Sequence, residues 1–296
     1  MSRADIQVSD DCVAPAEAFS IVGNETRLSI LEALFEHSER PVRFSELRKT
    51  VGLRDSAQFN YHLDKLTPQF VVRTDAGYDL RTAGERVVQA VLSGSFNEHP
   101  YVEPFALSDP CTNCGTPLSV RYEDEQLAID CEDCGRGHGT YTFPPGGLTD
   151  RSRSELLRAF DQRVRHRHCL AADGVCPVCS GRMETTIVPE GDCCLGVGLR
   201  AEHSCANCNH ELCSAIGLRL LDQSDVVSFY ADHGIDCSST PYWRFDWCVS
   251  DDCTTVLQTD PWRIEVALSA DEQTLLVELD GSLAVQHTER IDSAKR

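Results

Sequence analysis

Lysine is nearly missing from this 296-residue chain: Lys49, Lys65 and Lys295 stand beside 24 arginines and face 47 Asp plus Glu. No apolar run approaches the roughly 18 residues of a membrane-spanning helix. Met1 to Glu17 hold no apolar core behind a basic start, so neither a membrane span nor a secretory signal is expected. There is no phosphate-cradling glycine loop, no nucleophile–base pair and no metal set with an open position, which argues against an enzyme. A net charge of −20 argues against a protein that coats nucleic acid or anionic membrane with its whole surface. What is present is 41% hydrophobic residues, enough for packed cores and too many for a disordered chain. The length suggests about two domains. Abundant acid with scarce lysine is the composition of cytosolic proteins in salt-accumulating microbes, so a cytoplasmic protein is expected.

The charge is unevenly distributed. Residues 15–94 carry ten Lys/Arg against eleven Asp/Glu, whereas residues 95–296 carry 16 against 33. Within the first stretch, Arg43 to Arg73 has six basic and three acidic residues. Asn24 or Thr26 can cap a helix with Leu28, Leu31, Leu34 and Phe35 at helical spacing. Ser45 to Val51 reads as a short helix stopped by Gly52. Asp55 and Ser56 offer an N-cap to a third, Ala57 to Leu66, closed by Pro68. Its residues Phe59, Leu63 and Leu66 share a side, and Tyr61 points the other way with Asn60 and Asp64 beside it. Phe70 to Thr74 and Tyr78 to Arg81 read as strands joined through Asp75-Ala76-Gly77. Thr82 to Leu92 reads as a last helix. A short helix, a turn, a polar-faced helix and a two-stranded wing form the order that major-groove reading requires.

At this point the sequence resembles a family. Gly23-Asn24-Glu25-Thr26-Arg27-Leu28-Ser29-Ile30-Leu31-Glu32-Ala33-Leu34 is similar to the first helix of ArsR-like winged-helix regulators. Gln58-Phe59-Asn60-Tyr61-His62-Leu63-Asp64-Lys65-Leu66 looks like their recognition helix, which usually ends in His-Leu-x-x-Leu. The resemblance covers residues 15–94 and is nearest to haloarchaeal regulators that join this module to zinc ribbons. It implies a winged helix-turn-helix that binds double-stranded DNA as a homodimer. Carried over, Ser56, Gln58, Asn60 and Tyr61 would face base edges, and Arg54, Lys65 and Arg73 would meet phosphates. Taken singly, each reads equally well as a solvated helix face. His62 reads as a packed or phosphate-touching histidine. Metal-sensing members carry a Cys-x-Cys pair in the helix before the recognition helix, where this chain has Ser45-Glu46-Leu47-Arg48. Sensing of arsenic or cadmium there is not expected.

The cysteines carry the second signal. Cys111-x2-Cys114 and Cys131-x2-Cys134 are separated by sixteen residues, and Cys176-x2-Cys179 and Cys205-x2-Cys208 by twenty-five. Each pair is followed by a turn-forming residue: Gly115, Gly135, Ser180 or Asn209. Two such pairs per set form a zinc-ribbon pattern, and four thiolates close a tetrahedron with no position left for water. Two structural Zn²⁺ sites are therefore expected, ahead of a redox pair or an iron–sulfur cluster. Leu118, Val120 and Tyr122, then Leu127 and Ile129, alternate as a ribbon hairpin requires. Cys193, Cys194, Cys213, Cys237, Cys248 and Cys253, with His203, His210 and His233 nearby, match no trusted metal spacing and read as small buried hydrophobes.

Asp150 to Cys169 reads as a helix capped by Thr149, with Leu156, Leu157, Phe160 and Val164 as its stripe. Its other face carries Arg151, Arg153, Arg158, Arg163, Arg165 and Arg167, to be satisfied by DNA flanks, an acidic partner or the chain's own acidic ribbons. Ser224 to His233 reads as a helix ended by Gly234. Trp243 to Trp247, Trp262 to Leu268, Leu275 to Leu279 and a segment from Leu283 alternate as strands, and their tryptophans read as core. The expected architecture is α+β and multidomain: a winged helix-turn-helix at 15–95, a zinc ribbon at 106–146, a connector helix at 149–170, a second ribbon at 172–218, and a helix with an antiparallel sheet at 220–292. The last could hold a small-molecule or protein effector. The expected function is a zinc-stabilised, sequence-specific transcriptional regulator acting at promoters as a dimer. The alternative is a zinc-ribbon interaction component of transcription or RNA machinery that reads no bases.

Overall fold

Helix ends in the first third follow the capping chemistry closely. A computed structural model describes residues 12–189 and 196–292. The chain divides into two compact units, Met1–Glu98 and His99–Arg296. In the first, α1 (Pro15–Val22) and α2 (Glu25–Glu36) precede α3 (Phe44–Val51) and α4 (Ser56–Leu66). The hairpin β1 (Val71–Thr74) and β2 (Gly77–Leu80) and the helix α5 (Thr82–Leu92) follow. Asn24 caps α2 by accepting from the Arg27 amide, and Asp55 caps α4 by accepting from the Ala57 and Gln58 amides. Gly52 ends α3 with a left-handed φ of 76°. The buried residues Ile30, Leu31, Leu34, Leu47, Phe59, Leu63 and Leu66 come from three helices and form one core with Val71 and Val88. Residue 42 also bridges the hairpin, because Val42 and Tyr78 exchange both amide–carbonyl bonds at 2.8 and 2.9 Å. Gly77 makes that approach possible. At φ 151° any Cβ there would lie 2.4 Å from the Val42 carbonyl oxygen.

Among its described residues, the second unit contains three antiparallel sheets, one long helix and two shorter ones. β3 (Val102–Pro110), β4 (Pro117–Glu123), β5 (Gln126–Asp130) and β6 (Gly137–Thr142) form a sheet in sequence order. Asp124 and Glu125, with φ of 48° and 58°, turn β4 into β5. This double left-handed pair suits the right-handed twist of a hairpin. Helix α6 (Arg153–Ala172) leads to β7 (Met183–Val188), β8 (Arg200–Cys205) and β9 (Glu211–Ala215), the second sheet. A buried 3₁₀ segment (Ile216–Asp222), α7 (Ser224–Asp232) and the single turn α8 (Asp246–Val249) precede the last sheet. That sheet is β10 (Thr254–Thr259), β11 (Trp262–Ala270), β12 (Gln273–Asp280) and β13 (Val285–Asp292). Leu118, Val120 and Ile129, Leu156 and Phe160, Ile187 and Ala201, and Ile264 and Val277 all belong to one hydrophobic core. Burial of each large side chain contributes about 1.5–3 kcal/mol. Among the described residues, no helix is long and apolar enough to cross a membrane.

Three local expectations are corrected. α6 starts at Arg153, not Asp150, because Ser152 and not Thr149 caps it. Ser152 and Glu155 form a reciprocal capping box, a Ser-x-x-Glu signature that is present in the sequence. Trp243 to Trp247 is not a strand but a short 3₁₀ turn running into α8. Its alternation arises because Trp243 and Trp247 enter the core, where Trp243 Nε1 donates to Asp109 at 2.8 Å and Trp247 Nε1 to the Tyr230 hydroxyl at 2.7 Å. The strand that pairs with β11 is instead Thr254–Thr259. It is an edge strand held by its backbone with Val256 and Leu257 exposed, so it shows no apolar alternation.

Within α6, Asp161 and Arg165 form a buried pair with both side chains only 4% exposed. Arg165 Nε donates to both Asp161 oxygens at 2.9 Å, and its other nitrogens donate to the carbonyls of Cys237 and Thr240. Asp161 also accepts from the Tyr242 amide at 2.8 Å. Asp161→Ala would leave a buried guanidinium and a buried amide unpaired, and should destabilise this unit by about 3–5 kcal/mol. All three tryptophans lie in this unit, so denaturant unfolding followed by tryptophan fluorescence checks the value without interference from residues 15–94.

Candidate metal centres and nucleic-acid interface

Each cysteine pair sits on a tight turn, three of them between strands and Cys176–Cys179 between α6 and β7. In the first set, Cys111 follows β3 and Cys131 follows β5, and the Gly115 and Gly135 amides return to the Cys111 and Cys131 carbonyls at 2.9 Å. Both glycines are left-handed, with φ of 77° and 73°. In the second set Ser180 and Asn209 take the same conformation, with φ of 58° and 54°, and make the same return bonds to Cys176 and Cys205. Amides within the turns point at sulfur: Asn113 N to Cys111 Sγ, Val178 N to Cys176 Sγ and Asn207 N to Cys205 Sγ, all at 3.4 Å.

The four sulfurs of each set, Cys111, Cys114, Cys131 and Cys134, and Cys176, Cys179, Cys205 and Cys208, lie within 4.8 Å of one another. The closest approaches are 3.4 and 3.7 Å in the first set and 3.5 and 3.7 Å in the second. These distances exclude disulfides, which need about 2.05 Å. They match the edge of about 3.8 Å that tetrahedral thiolate coordination at about 2.3 Å requires. The Thr116 hydroxyl, 3.2 Å from Cys131 Sγ, lowers that thiol to about 6, and the Asn207 side chain lowers Cys179 to about 6. Burial pushes Cys111 up to about 11. Four adjacent sulfurs cannot all ionise unless a cation neutralises them, so both sets are positioned to hold metal ions. His138, buried between Cys111 Sγ (3.4 Å) and the Trp243 carbonyl (3.3 Å), ties the first set to the core.

In the first unit, Arg54, Ser56, Gln58, Asn60, Tyr61, Lys65 and Arg73 are all exposed. At about 100° per residue, Tyr61 lies at the centre of the outward face of α4. Asn60 shares a groove of about 430 Å3 with Arg73, Arg43 and Thr74 of the hairpin side. Gln58 and Lys65 lie on the opposite flank. Asn60 donates to Asp64 at 2.7 Å, and the Lys65 ammonium lies 5.8 Å from the Tyr61 ring centre, so both are held in place on the helix. Arg73 stacks over the Tyr78 ring at 5.9 Å. His62 is half-buried with an unpartnered Nδ1 and belongs to no metal set among the described residues.

Cys237 and Cys248 are buried in the core, and Cys253 donates to Asp246 at 3.1 Å. Neither they nor Cys213 join a metal set among the described residues, and Cys193 and Cys194 lie outside those residues. The basic face of α6 is largely engaged within the chain. Arg165 is buried, Arg153 lies over the Phe105 ring at 4.5 Å, and Arg151 donates to the Gly147 carbonyl at 2.5 Å. His138 and Thr116, which surround the first sulfur set, were not singled out from the sequence. His138 lies three residues after the knuckle glycine Gly135, but its carbonyl partner is remote in sequence.

The same division into two parts appears in the comparisons with known families. Residues 108–285 match a family described as a domain of unknown function (DUF7351), and the chain belongs to that family. Residues 15–91 match a second, described as a domain of unknown function (DUF7347). No curated protein matches the sequence.

Native mass spectrometry of the full chain should show two metal ions bound. Cys176→Ser should lose one ion and retain the other, because the two sulfur sets share no ligand. Retention of both ions would rule out the second set as a closed site.

Proposed function

We propose that this protein is a zinc-stabilised, sequence-specific DNA-binding transcriptional regulator of ArsR-like type, whose first unit is a winged helix-turn-helix acting at promoters as a dimer. The observation that carries this reading is the exposed polar face of α4 beside a hairpin bearing Arg73, in a stretch, Arg43 to Arg73, with excess basic charge within a −20 chain. In this reading α4 enters the major groove, with Ser56, Gln58, Asn60 and Tyr61 near base edges and Arg54, Lys65 and Arg73 at phosphates. Dimerisation has support in the apolar side chains that the first unit leaves outside. Phe19 is 73% exposed, Leu92 59% and Phe96 75%, and α1 buries no residue.

Zinc is the metal this reading assigns to both sulfur sets, since a closed tetrahedron of four thiolates suits a redox-inert ion. Bound zinc would supply structural cross-links and leave no coordination position for chemistry. Elemental analysis should return two zinc per chain, and iron with visible absorbance would overturn the assignment.

Fluorescence anisotropy with labelled duplexes tests the DNA reading. The double variant Gln58→Ala/Tyr61→Ala should lose about 1–3 kcal/mol of discrimination per base contact while keeping non-specific binding. Arg73→Ala should weaken binding to all sequences and lower its salt dependence. Absence of DNA binding by the full chain, or equal effects of both changes on every sequence, would favour a protein-interaction role instead.

A further inference from the structure

Arg163 and Arg167 lie one turn apart on α6 in a chain with 47 acidic residues, yet neither has a carboxylate oxygen within 4.0 Å among the described residues. Arg163 Nε donates to the Thr142 carbonyl at 3.2 Å, and Arg167 donates to His210 Nε2 at 2.9 Å. Neither partner is a carboxylate, and the two positive charges are offset only in part, by the Cys176 sulfur acting on Arg167. Burial, and then the charge of Arg163, holds Arg167 below the usual arginine range. A partly buried guanidinium beside another is unfavourable unless an anion neutralises it.

Arg167 opens onto a cleft of about 540 Å3 between β6 of the first sheet and β8 and β9 of the second. Arg167 Nε is buried and unpartnered. His203, 2% exposed, lines the same cleft, and its Nδ1 bonds the Thr185 hydroxyl at 2.9 Å. Hydroxyls of Thr140, Thr186 and Ser204 complete a wall of hydrogen-bond donors. Two carboxylates also face it. Glu202 is neutralised by Arg200 at 2.7 Å, and Glu211 lies on the exposed side of β9. A cleft of this volume is within the range for small-molecule sites.

From the Arg163–Arg167 pair without a carboxylate, the buried and unpartnered Arg167 Nε and the donor-lined cleft, we infer that this site binds a phosphate-type oxyanion carried by a small hydroxylated ligand. The planar guanidinium groups match tetrahedral oxyanions in geometry and charge. Threonine and serine hydroxyls serve the remaining oxygens, and Glu211 accepts from a ligand hydroxyl. The site lies wholly within residues 99–292, and it is independent of whether α4 reads DNA.

The test uses the metal-loaded full chain at constant ionic strength, with inorganic phosphate, ribose 5-phosphate and unphosphorylated ribose as probes in calorimetry. Both phosphate probes should bind and ribose should not, with ribose 5-phosphate tighter if the cleft beyond the anion is used. Arg167→Gln should weaken phosphate binding by about tenfold or more, and Arg167→Lys should restore part of it. Arg163→Gln, which removes the positive charge acting on Arg167 from one turn away without breaking a side-chain pair, provides a second variant if Arg167→Gln does not fold. No binding of either phosphate probe, or binding unchanged in the folded variants, would overturn the assignment.

Discussion

The second unit depends on one buried ion pair. Asp161 and Arg165 are a single turn apart on α6; Asp161 also accepts from Gln162 Nε2, and the pair's other hydrogen bonds reach the segment between α7 and α8. Desolvating two charges is unfavourable, and the pair is tolerated because one side-chain and three backbone hydrogen bonds add to the ion pair. That requirement locks the 237–242 strap against the helix. Tyr242 and Trp243 are thereby set into the core beside Phe160, with ring centres 6.4 Å away in both cases. The aromatic cluster then joins the first sheet to the last.

The sulfur sets act at the edges of that core. A two-hairpin ribbon buries too little apolar surface to be stable alone. Here Cys111 and Cys131 belong to the main core, whereas Cys176 and Cys205 pack with Ala171 and Met183 in a small cluster of their own. The two sets thus differ in what surrounds them although their turns are alike. The first is continuous with the bulk of the unit. The second, at the far end of α6, has only a satellite cluster behind it, so its turns rely more heavily on the sulfur cluster itself.

Charge follows the same division. The acidic excess belongs to the residues after 95, while the proposed reading head is nearly neutral. In molar salt the Debye length is about 3 Å, so repulsion between those acids and DNA would act only near contact. Specificity would then rest on short-range contacts from α4 more than on long-range steering. Inside the acidic unit, the α6 arginines contact carbonyls, a ring and a histidine more often than carboxylates. The exception is Arg165, which was indistinguishable from its neighbours in the sequence.

Local chemistry made much of this protein legible from its residues alone. Caps at Asn24 and Asp55, the stop at Gly52, the turn at Gly77 and the spacing of eight cysteines lie within a few positions of the groups they organise. Alternation in β4, β5, β11 and β12 was visible because each presents one face to a core. Tertiary structure alone decided which α6 arginine is buried, why Trp243 to Trp247 is not a strand, and that Thr254–Thr259 pairs at the sheet edge. It also brought Arg167 beside His210, 43 residues away, and Asp161 to the Tyr242 amide, 81 residues away. Periodicity records which face of an element is buried. It carries no record of a partner that reaches that face from a distant part of the chain, and both the keystone pair and the donor-lined cleft are made of such partners.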